Sequence, residues 1–326
     1  NINSNAINEL NYYVYYNNSD AGIPEYEDIG TWWNSSWNKR KEINITNSGS
    51  SVLYDFPVYI NLSKEPGMNS NFSDIRFING SCNSDSEKSL MYEIENYTSD
   101  NADVWLKIPE FNLNENTVCL YYNNPDVESG ENSTGVWEDN FVAVHHLSES
   151  TGAHIDSTQY KNNATYSGTS QAVAGLIGGA NDLDGDDYVE ILNSTSFNLG
   201  DELTTDVTFS AWVKTSCSEC GIMSVLDGAE GSGGHDRHVF INSGKIDGRV
   251  WSGGTFDPGT TDIDDNEWHL VSLVIENGVG SRLYVDGALE ATVLKDESDF
   301  DWADRHWTGF SNDPEPSDTY DYLTGS

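Results

Sequence analysis

The chain has 326 residues, enough for two ordinary domains that each bury a core. Against 15 Lys plus Arg stand 54 Asp plus Glu, a formal charge of −39 that repels the phosphates of nucleic acid and of anionic lipid, so neither is an expected partner. No stretch approaches the roughly 20 apolar residues of a membrane span, which argues against direct membrane insertion in this segment.

Aromatic residues make up 12%, Gly is frequent and no long helical period appears, which predicts an all-β chain of short strands and turns. The opening Asn1-Ile2-Asn3 has neither Met nor a signal-peptide pattern and reads as a cut from a longer chain. Leu10 to Tyr16 has strand composition, and Tyr15 to Asp20 recurs as Tyr121 to Asp126, each copy closing on an Asn-rich turn before an acidic linker and a Trp. Residues 1–31 therefore read as the terminal strand of a preceding domain plus its linker.

From Trp33 to Trp137 run short alternating segments: Lys41 to Ile45, Phe56 to Leu62, Asp74 to Ile78, Ala102 to Ile108 and Val118 to Tyr122. Turn residues separate them, predicting a β-sandwich of about a hundred residues over 32–138. In residues 139–326, Val207 to Lys214 alternates Phe209, Ala211 and Val213 on one face with Ser210, Trp212 and Lys214 on the other. Glu267 to Val274 and Arg282 to Val285 continue the strand series, and Asp286-Gly287 supplies a tight hairpin turn.

Trp37-x-Lys39-Arg40, Ser73-Asp74-Ile75-Arg76-Phe77, Tyr92-x-Ile94-Glu95, Ala102-Asp103-Val104-Trp105 and Tyr121-Tyr122-Asn123-Asn124-Pro125 resemble an uncharacterised-function domain of archaeal and bacterial surface proteins, over roughly residues 33 to 137. That family commonly precedes a concanavalin A-like, laminin-G-like jelly roll. Gly178 to Val189, Val207 to Lys214, Glu267 to Val274 and Arg282 to Gly287 resemble such a jelly roll. The resemblance implies two β-sandwich domains, the second ending at Ser326 before its own last strand.

The cysteines fall two to a domain, which favours Cys82 with Cys119 and Cys217 with Cys220 as disulfides over a zinc site, since structural zinc of the Cys-x-x-Cys kind needs two such pairs. Ten Asn-x-Ser/Thr sequons stand at Asn17, Asn34, Asn44, Asn61, Asn71, Asn79, Asn96, Asn132, Asn163 and Asn193. With the cysteines they favour an extracellular, cell-surface protein.

The acidic excess fits a halophile's surface, calcium sites or solubility. For calcium, a hard cation that takes carboxylate oxygens, the loop residues Asp156, Asp182, Asp184, Asp186 and Asp187 are candidates, although the order is not that of an EF-hand. Candidate glycan contacts are Trp251, Asp257, Asp301, Trp302 and Trp307, as aromatic platforms with polar neighbours. His145-His146 and His235-Asp236-x-His238 read as structural or surface histidines.

No nucleophile elbow, phosphate loop or paired-carboxylate strand run appears, and Glu93 and Glu95 read as a solvated strand face. The expected function is non-enzymatic adhesion or glycan binding, with glycans or neighbouring surface-protein subunits as partners. The alternatives are a structural subunit of a filament, sheath or surface layer assembled by strand exchange, and a binding appendage of a secreted hydrolase.

Overall fold

The computed structural model describes residues 32–83, 88–138, 140–192, 194, 196, 206–226, 235–250, 254–296, 305–309 and 322–326. The Tyr-rich segment at 10–16 and its linker lie outside these. The described chain divides into two compact units between Asn140 and Phe141.

The first unit is built from β1 (Lys39–Asn47), β2 (Leu53–Ser63), β3 (Arg76–Asn79), β4 (Tyr92–Tyr97), β5 (Asn101–Phe111), β6 (Asn114–Tyr122) and a single turn of helix, α1 (Ser133–Val136). All pairing is antiparallel, in two three-stranded sheets ordered β1-β6-β3 and β2-β5-β4. Alternation sets the inner faces: Ile43 and Ile45, Val58, Ile60 and Leu62, Val104 and Leu106, Val118 and Leu120 close one apolar core.

Residues of the surface-domain resemblance meet as a structural knot beside this core. The buried Asp74 carboxylate accepts the backbone N–H of Asn69, Asn123 and Asn124 (2.8, 2.8 and 3.3 Å), and the Asp74 carbonyl accepts the Trp37 indole N–H at 2.7 Å. Arg76 donates to the Tyr92 hydroxyl at 3.2 Å and to the Glu128 carbonyl at 2.7 Å, and its guanidinium lies 5.3 Å from the Trp37 ring centroid. These motifs hold turns together, because a buried carboxylate is tolerated only when its oxygens are satisfied.

The second unit comprises β7 (Ala164–Ser167), β8 (Ser170–Ala174), β9 (Gly179–Asp184), β10 (Tyr188–Ile191), β11 (Val207–Lys214), β12 (Glu219–Leu226), β13 (His235–Asn242), β14 (Lys245–Val250), β15 (Gly254–Thr255), β16 (Trp268–Glu276), β17 (Gly280–Val285), β18 (Ala288–Val293), β19 (Arg305–Thr308) and β20 (Thr324–Gly325). One sheet has seven strands, β15-β14-β13-β12-β19-β10-β7, and faces the four-stranded β11-β16-β17-β18 across a shared core of Ile222, Val239, Ile241, Val271, Leu273 and Leu283. The β17–β18 hairpin turns on Asp286 and Gly287 at φ 50° and 78°, the positive pair that its tight turn needs.

The last described residues are paired with the rest of the unit. Thr324 and Gly325 pair with Asp184 and Leu183 of β9, Gly325 bridges Thr215, and the Ser326 backbone exchanges hydrogen bonds with Lys214 at 2.5 and 2.9 Å. β20 thus joins the β8-β9 pair to the end of β11. Glycine is required there: Gly325 has φ 143°, and a Cβ would stand 2.3 Å from the Lys214 carbonyl.

Candidate functional site

Three of the five candidate calcium ligands converge. β9 ends at Asp184, Gly185 turns the chain at φ 105°, and Asp186 and Asp187 follow before β10. One carboxylate oxygen from each of Asp184, Asp186 and Asp187 lies within 4.8 Å of the others, with Asp187 buried and the other two exposed. Asp187 also accepts the Asp184 backbone N–H at 3.2 Å, which fixes its orientation. Its carboxylate sits against the backbone of Gly168, where a Cβ would stand 1.6 Å from Oδ1.

Electrostatics registers the crowding. The Asp186 carboxyl titrates above its ordinary range because it hydrogen-bonds and is repelled by Asp184. Asp187 is raised first by burial and then by the charges of Asp184 and Asp186, partly offset by the backbone N–H it accepts. Adjacent carboxylates that resist joint ionisation are a donor set a divalent cation suits, because its charge removes the repulsion.

The other two candidates do not join them. Asp156 is buried and saturated: its oxygens accept the backbone N–H of Val144, Thr158 and Asn162 and the Thr158 hydroxyl, at 2.7 to 3.0 Å. It therefore braces the 144–163 segment, a correction to its reading as a ligand. Asp182 is exposed on β9, outside the convergence.

Among the candidate glycan contacts, Trp251, Asp301 and Trp302 lie outside the described residues, and Asp257 is exposed in the loop after β15. Trp307 is corrected: it is 2% exposed, packs edge-to-face on Tyr188 with ring centroids 4.8 Å apart, and clusters with Leu226, so its indole is core and offers no sugar platform.

The cysteines pair as expected, Cys82 with Cys119 (S–S 2.01 Å) and Cys217 with Cys220. Of the sequons, Asn44, Asn61, Asn71, Asn96, Asn132 and Asn163 are exposed, Asn34 and Asn79 are half-buried, and Asn17 and Asn193 lie outside the described residues. His145 is confined to an isolated bridge with Asp156, where burial lowers its pKa and its Nε2 lies 2.9 Å from the Asn162 carbonyl. The buried His154 lies 2.9 Å from both Glu149 and Asn181, and its hydrogen bond helps hold the Glu149 carboxyl at about 2 against the opposing effect of burial.

Sequence reasoning missed the environment of Glu93 and Glu95. Glu93 is 8% exposed and accepts the Trp137 indole N–H at 2.5 Å; Glu95 accepts that of Trp105 at 2.7 Å. The reading as a solvated strand face is therefore wrong for Glu93. The alternation placed both carboxylates on the outer face, but the indole that covers Glu93 comes from 44 residues away.

Two families match the chain, one of them across the boundary between the two units. Residues 183–325 match the family described as the concanavalin A-like lectin/glucanases superfamily, Laminin_G_3. Residues 71–163 match a domain of unknown function, DUF2341, a match that starts later than residue 33 and runs past 137. No curated protein matches the chain.

Similar solved structures include the binding domain of Paraclostridial Mosquitocidal Protein 1 (14% identity, TM-score 0.35, 51% of this chain and 47% of that one). Another is the botulinum neurotoxin serotype D binding domain (16% identity, TM-score 0.34, 51% and 46%). A third is domains LG4-5 of the mouse laminin alpha1 chain (11% identity, TM-score 0.32, 88% and 81%). The chain spans about half the length of the two toxin domains. The chain carries a laminin-G-like, concanavalin A-like jelly roll matched over residues 183–325, preceded by a domain of unknown function matched over residues 71–163.

Proposed function

We propose that the chain is a non-catalytic binding module of an extracellular cell-surface protein, and that its jelly roll engages a glycan or receptor with calcium held at Asp184, Asp186 and Asp187. The observation that carries this reading is the convergence of three carboxylates at the β9–β10 turn of a concanavalin A-like fold. A disulfide in each unit supports the extracellular location, because such bonds persist in oxidising compartments. Calcium supplies charge neutralisation and a fixed anchor for ligand oxygens, while the protein's part is to hold the Asp187 carboxylate against Gly168 and the Asp184 N–H.

The test is thermal unfolding with millimolar calcium or with chelator. Calcium should raise the unfolding temperature of the second unit, the response should grow as pH rises through the raised titration range of Asp186 and Asp187, and Asp186→Asn should weaken calcium binding about tenfold or more. Identical curves in calcium and chelator at neutral pH would sink the metal part of the reading. A glycan array run in both conditions then reads the ligand.

A further inference from the structure

The outer face of the β2-β5-β4 sheet has a composition that packing alone does not call for. Period-two alternation points Tyr59 and Asn61 of β2, Asp103 and Trp105 of β5, and Glu93 of β4 away from the core. Register aligns them in two rows: Tyr59, Trp105 and Glu93 directly across the three strands, then Asn61, Asp103 and Asn96. At strand spacing the rows cover about 7 Å by 10 Å, the footprint of a disaccharide.

Within the rows every polar group is aimed. Tyr59 donates its hydroxyl to Asp103 at 2.6 Å, Asn61 donates to the same oxygen at 2.9 Å, and Trp105 donates its indole N–H to Glu95. The Tyr59 and Trp105 ring centroids lie 5.5 Å apart, and those of Trp105 and Trp137 5.2 Å apart, edge to face. Burial and the Asp103 hydrogen bond both hold Tyr59 as a neutral phenol at any physiological pH.

A mere cover would be buried, as on the opposite sheet, where Tyr121 and Trp37 of the outer layer are 2% and 6% exposed. Here Trp137, Glu93 and Lys107 are buried, while Tyr59, Trp105 and Asp103 stay half-exposed and Asn61 is exposed. Lys107 on this face is ion-paired with Glu138 at 2.5 Å and lies 4.0 Å from Asp55, so among the described residues the surface is an array of acceptors beside aromatic rings with net negative charge.

We propose that this face is a second binding site, for a neutral oligosaccharide chain of another molecule: the sugar's C–H faces lie on Tyr59 and Trp105 and its hydroxyls donate to Asp103 and Glu95. Ring stacking takes the apolar side of a pyranose, and carboxylates accept hydroxyl donors in strong, charge-assisted hydrogen bonds. The negative charge excludes sulfated and uronic glycans, which selects neutral chains. No cation takes part, so this site is independent of calcium and of the jelly-roll reading.

The experiment is calorimetric titration of the full chain with cellohexaose, chitohexaose and mannohexaose, in chelator, with a heparin hexasaccharide as the anionic probe. At least one neutral probe should bind and heparin should not. Tyr59→Ala should weaken that binding about tenfold, and the isosteric Asp103→Asn several-fold, at an unchanged unfolding transition of the first unit. The proposal is overturned if no neutral probe binds at about 5 mM, if binding survives both substitutions unchanged, or if a repeat in millimolar calcium shows binding that is absent in chelator. It is also overturned if peptide mapping finds a glycan on Asn61 and no probe binds, because the chain's own sugar then occupies the face.

Discussion

Trp37 lies buried over one sheet of the first unit and Trp137 over part of the other, whereas β11 of the second unit presents Trp212 outward at 44% exposure. The two units also differ in their covalent and titrating groups. Cys82 and Cys119 close a loop across 37 residues, while Cys217 and Cys220 stand three apart. All seven histidines belong to the second unit, at 145, 146, 154, 235, 238, 269 and 306. The first unit is therefore held by a long-loop disulfide and aromatic cover, and the second by the pairing of β20, with its acid response set by its histidines.

Disulfide removal should separate the units most. By loop length, losing Cys82–Cys119 costs about 4 kcal/mol and losing Cys217–Cys220 about 1.5 kcal/mol. Scanning calorimetry of Cys82→Ser/Cys119→Ser should lower the first unit's transition strongly and leave the second unit's in place. Equal losses from the two double substitutions would break the comparison.

Closure of the second unit by β20 gives the next effect. Gly325→Ala forces a side chain into a φ that only glycine adopts without strain and brings a Cβ to 2.3 Å from the Lys214 carbonyl. The expected cost is about 1–3 kcal/mol, confined to the second unit's transition. A neutral substitution would show that β20 does not close the sheet.

Acid should act on the second unit first. Burial, then the charge of Arg237, depresses the His306 pKa from 6.5 to about 3, so the folded state holds the imidazole neutral. As pH falls through 6.5 the unfolded chain takes up a proton that the folded one refuses. Stability therefore drops by about 1.4 kcal/mol per pH unit down to about pH 3, or about 2 kcal/mol at pH 5.

His145, also depressed by burial, adds to the loss. His269 acts in the opposite sense: burial lowers it, but hydrogen bonds to Asp286 and Asp265 raise it overall, and its stabilising effect is complete once pH has fallen to 6.5. Urea unfolding at pH 7 and pH 5 should show the second unit weakening, the first nearly constant, and His306→Gln flattening the dependence. Parallel loss in both units would contradict the assignment.

How far the sequence reached follows the same line. Alternation in Val207 to Lys214 was enough to place Trp212 outward, and the Asp286-Gly287 pair named its turn, because both signals are local. The cysteine pairing was legible from their segregation into two units. Trp307, Asp156 and Glu93 were misread because each is covered or satisfied by chain that local pattern does not show. Period-two patterning says which face a side chain takes but is silent on whether distant chain covers that face. Trp307 meets Tyr188, and Glu93 meets Trp137, only through the fold. The Asp184 to Asp187 convergence was partly legible, since a short turn keeps its residues together, while Asp156 had no local sign of the backbone amides that fill its oxygens.

The smallest expected effect is at Trp212, and it sharpens the comparison by contrast with Trp307. Both are tryptophans on strands of the second unit, yet one is 44% and the other 2% exposed. Replacing Trp307 by Ala removes a buried ring and should cost about 3–5 kcal/mol. Trp212→Ser takes a large apolar group off an exposed sheet face, opposite Leu270 on β16, and loses only cross-strand contact there. Its stability should change by no more than about 0.5 kcal/mol, measured by urea unfolding of the second unit. If Trp212→Ser instead costs as much as Trp307→Ala, the outer face of β11 is covered, and the contrast drawn between the two units fails at that sheet.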